Sequence, residues 1–290
     1  MAKRKIGDSD NEIITMTKRK RGDSDNEIIT LDVYIRTSSK NDIFTILLSK
    51  IKPINELVVL RWRETGLFMT MMDTSHIGVI FLHIPAEWFD EYVLILPDGE
   101  TEKVTNVQTW VLNKAMSIGD PKNNLRIRCK GHEVANLEMS FTDTEGSLTK
   151  RFELPFIEND EDKLLEDVFQ SDVEFEVSSK RWAEDLKNMH IFGSSVRLRC
   201  SAETVSLTTE SADTCVFTSH LGVDSISIVP GSVHEECFGL KLLLDLAAFE
   251  NIAKTLEIHL TKNRPLRIVF LMLDNIRFTC YVVARVKDDD

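Results

Sequence analysis

The chain has 290 residues, 42% of them hydrophobic, enough for one large cored domain or two ordinary ones. Its net charge of -12 excludes nucleic-acid binding by bulk attraction and leaves room only for a basic patch on an acidic body. No apolar run approaches the ~18–20 residues of a bilayer span, so no membrane partner is expected, and five cysteines without a pairing pattern predict reduced thiols in a cytosolic or nuclear protein.

Residues 1–30 form a charged arm. Lys3 to Thr15 recurs from Lys18 to Thr30 with one change, Ile6 to Arg21. A tandem copy of a low-complexity polar stretch predicts disorder. Lys18-Arg19-Lys20-Arg21 fits a nuclear import signal or nucleic-acid contact and, equally, a solvated basic run balanced by adjacent Asp and Glu.

Residues 31–154 read as a strand-rich unit. Leu31–Arg36 predicts a strand, and Lys40–Ile51 a helix with Ile43, Ile46, Leu47 and Ile51 at helical spacing, ended by Pro53. Glu56–Arg63 predicts a strand. Leu67, Met69 and Met71 then alternate along a strand, Asp73-Thr74-Ser75-His76 interrupts it, and Ile77–Ile84 runs almost wholly apolar. Val104–Ile118 predicts a second helix, and Leu125–Cys129, Val134–Thr142 and Leu148–Leu154 further strands.

Residues 155–172 form an acidic connector that embeds Leu164, Leu165 and Val168 among carboxylates. Residues 173–290 repeat the pattern. Strands are expected at Val173–Val177, Val196–Cys200, Thr204–Thr209, Thr214–Leu221, Ser225–Val229, Glu257–Thr261, Leu266–Leu273 and Ile276–Ala284. Helices are expected at Ser179–Phe192 and from about Leu242 to Leu256. Few helices among many strands give an α+β class with antiparallel sheets.

No Gly-rich phosphate loop or Gly-x-Ser-x-Gly elbow is present, so nothing positive supports catalysis. Cys215, His220, His234 and Cys237 have spacings reminiscent of zinc, but no Cys-x2-Cys pair supports them, and no metal or cofactor is expected.

Met72-Asp73-Thr74-Ser75-His76-Ile77, followed by a strand and Phe89-Asp90-Glu91-Tyr92, resembles the first domain of the proliferating cell nuclear antigen family, the eukaryotic and viral sliding clamps. Lys180 to Lys187 running through Ile191-Phe192-Gly193 to Cys200, Asn263-Arg264-Pro265-Leu266, and Tyr281 to Asp288 resemble that family in the same order, over roughly residues 31–288. The resemblance implies a two-domain crescent with sheets outside and four helices facing a bore, closing as a trimeric ring. It implies a non-enzymatic processivity factor that encircles double-stranded DNA without reading sequence, tethers DNA polymerase and other partners, and is opened by an ATP-dependent clamp loader. The alternatives are a subunit of a heterotrimeric checkpoint-type clamp and a non-encircling adaptor. The location implied is the nucleus, or a cytoplasmic replication site for a viral source.

Carried over residue by residue, the resemblance places Lys52, Lys114, Lys187, Lys254 and Arg285 on the DNA-facing surface. Thr45 and Ile46 on the first helix, and Asp245 and Glu250 on the fourth, depart from its basic pattern, so either the grip on DNA is weaker or Lys50, Lys180 and Arg181 share the contact. The family receives a peptide with a glutamine and two aromatics. Its pocket maps onto Met72, His76, Ile77, Val79, Leu164, Leu165, Pro265, Tyr281 and Val283. Ring closure is expected between the strand near Ser147–Leu154 and the strand near Thr204–Glu210 of the next chain.

Overall fold

The computed structural model describes residues 29–131, 135–158, 164, 166, 169–211, 215–223 and 225–285. The arm up to residue 28, Leu165 and Val168 of the connector, and residues 286–290 lie outside them. The first half runs β1 (Ile29–Ile35), α1 (Ser38–Ile51), β2 (Leu57–Arg63), β3 (Gly66–Met72), β4 (Gly78–Pro85), β5 (Glu91–Leu94), β6 (Lys103–Gln108), α2 (Thr109–Ile118), β7 (Asn124–Lys130), β8 (Asn136–Thr142) and β9 (Leu148–Pro155). The second runs β10 (Val173–Ser178), α3 (Ser179–His190), β11 (Ser195–Cys200), β12 (Val205–Ser211), β13 (Cys215–Leu221), β14 (Ile226–Ile228), β15 (His234–Gly239), α4 (Leu240–Ala247), β16 (Thr255–Leu260), β17 (Leu266–Leu271) and β18 (Arg277–Val282).

A five-stranded sheet, β5-β1-β7-β8-β9, belongs to the first half, and a four-stranded sheet, β13-β12-β11-β15, to the second. The nine-stranded sheet β14-β10-β16-β17-β18-β4-β3-β2-β6 belongs to both. The halves join where β18 pairs antiparallel with β4, Tyr281 opposite Val79 and Cys280 opposite Ile80.

Alternation decides which face of this sheet is buried. Leu67, Met69 and Met71, Ile80, Leu82 and Ile84, Leu266, Ile268 and Phe270, and Phe278, Cys280 and Val282 point into the core. Phe249, just beyond α4, packs against Phe278 with ring centroids 4.3 Å apart and planes tilted by 35°. A Cβ on Gly78 would meet Leu242 Cδ2 at 2.2 Å, so α4 of the second half packs closely on β4 of the first and a side chain there would require Leu242 to move. The neighbouring positions on these strands, among them Val79 and Tyr281, face the other way.

Three expectations need correction. The second helix starts at Thr109, not Val104: Val104, Thr105 and Val107 are β-branched and form β6, with Val107 buried opposite Val58. The fourth helix ends at Ala247 and tightens into a 3-10 turn over Ala248–Asn251, where buried Phe249 anchors the chain and its carbonyl accepts from Ile252 and Ala253. Thr255 already opens β16, so Lys254 sits in the turn between them rather than on the helix. The strand at Thr204–Glu210 is β12, which is paired on both sides; the edge is β13.

Candidate nucleic-acid interface and partner groove

The four α-helices among the described residues each bury an apolar stripe and leave an outward face. α1 buries Phe44, Leu47, Leu48 and Ile51 and exposes Ser39, Asp42, Ile46 and Ser49. α2 exposes Trp110, Lys114 and Ser117, and α4 exposes Lys241. α3 carries the densest charge. Ser178 caps its N-terminus by accepting from the Arg181 backbone N–H, and Lys187 and His190 complement the dipole in its last turn.

Much of this charge is internally compensated. Lys180 lies 3.9 Å from Glu184, Arg181 2.9 Å from Asp185, and Lys187 2.8 Å from Glu250. Lys52, just past α1, and Lys114 are exposed and make no ion pair among the described residues. Lys254 is likewise exposed, in its turn, where its carbonyl accepts from Ser179 N–H at 3.0 Å. Asp245, whose carboxyl burial pushes up, sits half-buried on α4. Arg285 is not brought to the helices. Its N–H donates to the Cys237 carbonyl of β15, and its side chain lines a depression beside Pro265 and Val283.

The partner-pocket candidates gather on the outer face of the shared sheet. Met72, Val79, Tyr281 and Arg267 follow one another across β3, β4, β18 and β17. The loop between β3 and β4 is built on Asp73, which is buried. Its Oδ1 accepts from Ile77 N–H at 2.7 Å and Gly78 N–H at 2.6 Å, and its Oδ2 from Ser75 N–H at 2.9 Å. That grip places His76 in the left-handed region at φ 57°, with Nδ1 2.9 Å from Met72 Sδ. The Ile77 carbonyl accepts from Val283 N–H at 2.8 Å, tying the loop to the strand that follows β18.

Pro265 and Val283 line a depression of about 300 Å3 with Asn263, Arg264, Ala284, Arg285 and Glu236. Leu164 is not there. It lines a second depression, of about 230 Å3, over the middle of β2-β3-β4-β18 with Phe68, Phe81, His83 and Arg277. Tyr281 stands between the two. Its ring meets Phe81 edge-on at 5.9 Å and Phe169 at 6.3 Å, and its hydroxyl lies 3.5 Å from Glu166. Burial pushes the phenol up, with Glu166 adding to the shift and the Arg267 hydrogen bond opposing it. Behind Tyr281, buried Arg267 donates to His259 Nδ1 at 3.0 Å. Burial and Arg267 hold His259 below its ordinary range.

Phe68, Phe81, His83, Arg277 and Arg267 were missed in the sequence. They occupy outward positions two residues apart on strands whose outward ends were recognised, so the period-2 rule was the available signal. The zinc spacing has no geometric counterpart. Cys215 and His220 lie on β13, His234 and Cys237 on β15, and β12 and β11 separate them. Three strand spacings are ~14 Å, beyond what ligands ~2–2.3 Å from one ion can span.

The profile described as proliferating cell nuclear antigen, N-terminal domain, matches residues 35–163. A DNA polymerase sliding clamp of Pyrococcus horikoshii is 24% identical over 228 residues, covering 78% of this chain and 87% of that protein. Proliferating cell nuclear antigen 1 of Plasmodium falciparum is 22% identical over 246 residues, with the same coverages of 78% and 87%. The fold matches the crystal structure of a PCNA2-PCNA3 complex from Sulfolobus tokodaii with a TM-score of 0.72 at 16% identity, covering 88% of this chain and 99% of that one. Profile, relatives and fold agree with the antiparallel sheets and paired helices, and all three make the chain similar to the proliferating cell nuclear antigen family.

Proposed function

We infer that this chain is a DNA sliding clamp, a non-enzymatic ring that encloses duplex DNA and holds a polymerase to it. The observation that carries the reading is the nine-stranded sheet shared by both halves. α4 packs on one face of it at Gly78, and the groove around Val79 and Tyr281 opens on the other. One rigid element thus separates a helix-lined surface from a partner-binding surface.

Three identical chains closing head to tail supply twelve helices around a bore. The edges favour this arrangement. β6 is covered by Ile157 N–H donating to Asn106, β15 by Arg285 N–H donating to Cys237, and β5 and β14 are short. β9 and β13 remain as long strands paired on one side only among the described residues. Each carries an exposed apolar side chain, Leu148 on one and Val216 on the other. A β9–β13 union would bury both and remove two edges that otherwise invite aggregation.

Inside the ring, Lys52, Lys114 and Lys187 contact phosphates, with Lys254 contributing from its turn. Cations at scattered positions hold the duplex without fixing register, which is what sliding requires. On the outside, the Tyr281 groove receives the aromatic anchors of polymerase and other partners. A closed ring needs an ATP-dependent loader to open it on DNA that lacks ends. The protein acts wherever its DNA is replicated, in the nucleus or at a cytoplasmic viral site.

Light scattering over a dilution series tests closure. A mass three times the 33.1 kDa of one chain, held on dilution, is expected. A single-chain mass that rises only when a different subunit is added would replace the homotrimer with a heteromeric clamp.

A further inference from the structure

Beyond Tyr281 the outer face of the sheet changes character. Arg61, Phe68, His83 and Arg277 stand in one row across β2, β3, β4 and β18. Phe68 and His83 stack with centroids 4.1 Å apart and planes 13° from parallel, and the Arg63 guanidinium lies 4.5 Å from the Phe68 centroid. Phe81 bridges this row to Tyr281. The depression under Leu164 continues past His83 and Arg277 into another of about 520 Å3 bounded by Pro85 and Leu271. From Val79 to His83 along β4 is ~14 Å, the reach of about four extended peptide residues.

The arginines in this row are not equivalent. Glu102 holds Arg61 and Arg63 at 2.8 Å each, so their charge is already met. Arg277 is exposed and has no carboxylate within 4.0 Å among the described residues. A cation with no carboxylate within 4.0 Å among the described residues, at the end of an aromatic-floored groove on a chain of net charge -12, is complementary to a carboxylate arriving with a partner.

We propose that the partner groove selects peptides that carry acidic residues beside their aromatic anchors, and that Arg277 receives the carboxylate. The proposal rests on reading the Tyr281 end as the anchor pocket. Aromatic anchors fill the Val79–Tyr281 end, the peptide continues under Leu164 over Phe81 and Phe68, and its carboxylate meets Arg277 where the groove widens. A lysine at the same place would face the Arg277 guanidinium instead.

Fluorescence anisotropy with three dye-labelled synthetic peptides tests this. All share a core of one glutamine and two aromatics, and they differ in flanks of Gly-Ser, Glu or Lys on both sides. The full-length protein is expected to bind the Glu-flanked peptide about tenfold tighter than the Lys-flanked one at low salt, the scale of one charge-assisted hydrogen bond. Arg277→Gln should erase that preference, and Tyr281→Ala should weaken all three. Equal affinities for the Glu and Lys peptides, with Tyr281→Ala still damaging, overturn the acidic preference and leave the groove standing. A preference that survives Arg277→Gln overturns the assignment to Arg277. Failure of the Gly-Ser peptide to bind, or binding indifferent to Tyr281→Ala, overturns the groove and the preference together.

Discussion

Lys187 Nζ lies 2.8 Å from Glu250 Oε1, joining the last turn of α3 to the 3-10 turn that follows α4. The pair sets one of the candidate DNA contacts against an internal carboxylate. An exposed pair of this kind contributes at most ~1 kcal/mol to stability, so its removal is chiefly an electrostatic event. Glu250→Gln is expected to free Lys187 for phosphate. The slope of log Kobs against log salt for a short duplex should steepen by up to ~0.9 per freed contact, with little change in melting temperature. Lys187→Glu should shift the slope the other way.

Of the proposed DNA contacts, Lys52, Lys114 and Lys254 make no ion pair among the described residues. Because grip is spread over many weak contacts, reversing Lys52 or Lys114 alone should reduce polymerase stimulation modestly. Reversing both together with Lys187 should abolish it while the oligomeric mass stays unchanged. Polymerase extension on a primed template, paired with light scattering, reads both quantities.

β13 presents Val216 67% exposed, and α3 is followed by Ile191 at 74%. A lysine at the centre of an interface strand buries an unpaired charge and disfavours closure by several kcal/mol. Val216→Lys should convert the assembly to single chains in light scattering without altering the fold seen by circular dichroism. The same change at Val229, equally apolar but away from this edge, should leave the mass alone.

Asp73 is 6% exposed and accepts three backbone N–H groups. Asp73→Ala leaves those donors without their acceptor and should cost roughly 2–3 kcal/mol in urea unfolding. It should also weaken peptide binding, since the same carboxylate positions His76 and Ile77. Asp73→Asn keeps one acceptor oxygen and should lose less in both assays.

His259 is 3% exposed. Burial and the Arg267 guanidinium depress its pKa, while Glu174 and Glu257 pull it up less strongly. The folded chain therefore resists protonation that the unfolded chain accepts below ~6.5. The unfolded state binds more protons in that range, so stability falls as pH drops through it. His83, depressed chiefly by burial, acts in the same direction. The melting temperature should fall from pH 7 to pH 5, and His259→Gln should flatten part of that dependence.

Legibility in the sequence followed the strength of local signals. The alternation of Leu67, Met69 and Met71 and the Asp73–His76 interruption marked β3, its loop and β4 without ambiguity. Val104–Val107 was misread because β-branched residues beside a real helix share its apolar spacing, and only pairing with β2 makes them a strand. The end of α4 was misplaced because Ile252 and Leu256 continue a helical period that Phe249 interrupts by packing on Phe278. Choosing β12 over β13 as the edge was a question of sheet order, which no local pattern encodes. The resemblance places Arg285 on the DNA-facing surface, whereas its backbone bond to Cys237 ties it to β15 beside the groove. The Arg277 row was invisible for a similar reason: its members are far apart in the chain and meet only across β-pairing.

Enclosure of DNA is the central claim, and topological retention tests it most directly. The protein at micromolar concentration is threaded onto linear duplex carrying biotin at both ends, streptavidin is added, and the DNA is washed in salt that removes ionic binders. A ring is expected to stay on the blocked DNA and to leave when a restriction enzyme cuts between the blocks. Loss of the protein in the wash at the same salt, whether the ends are open or blocked, would contradict encirclement.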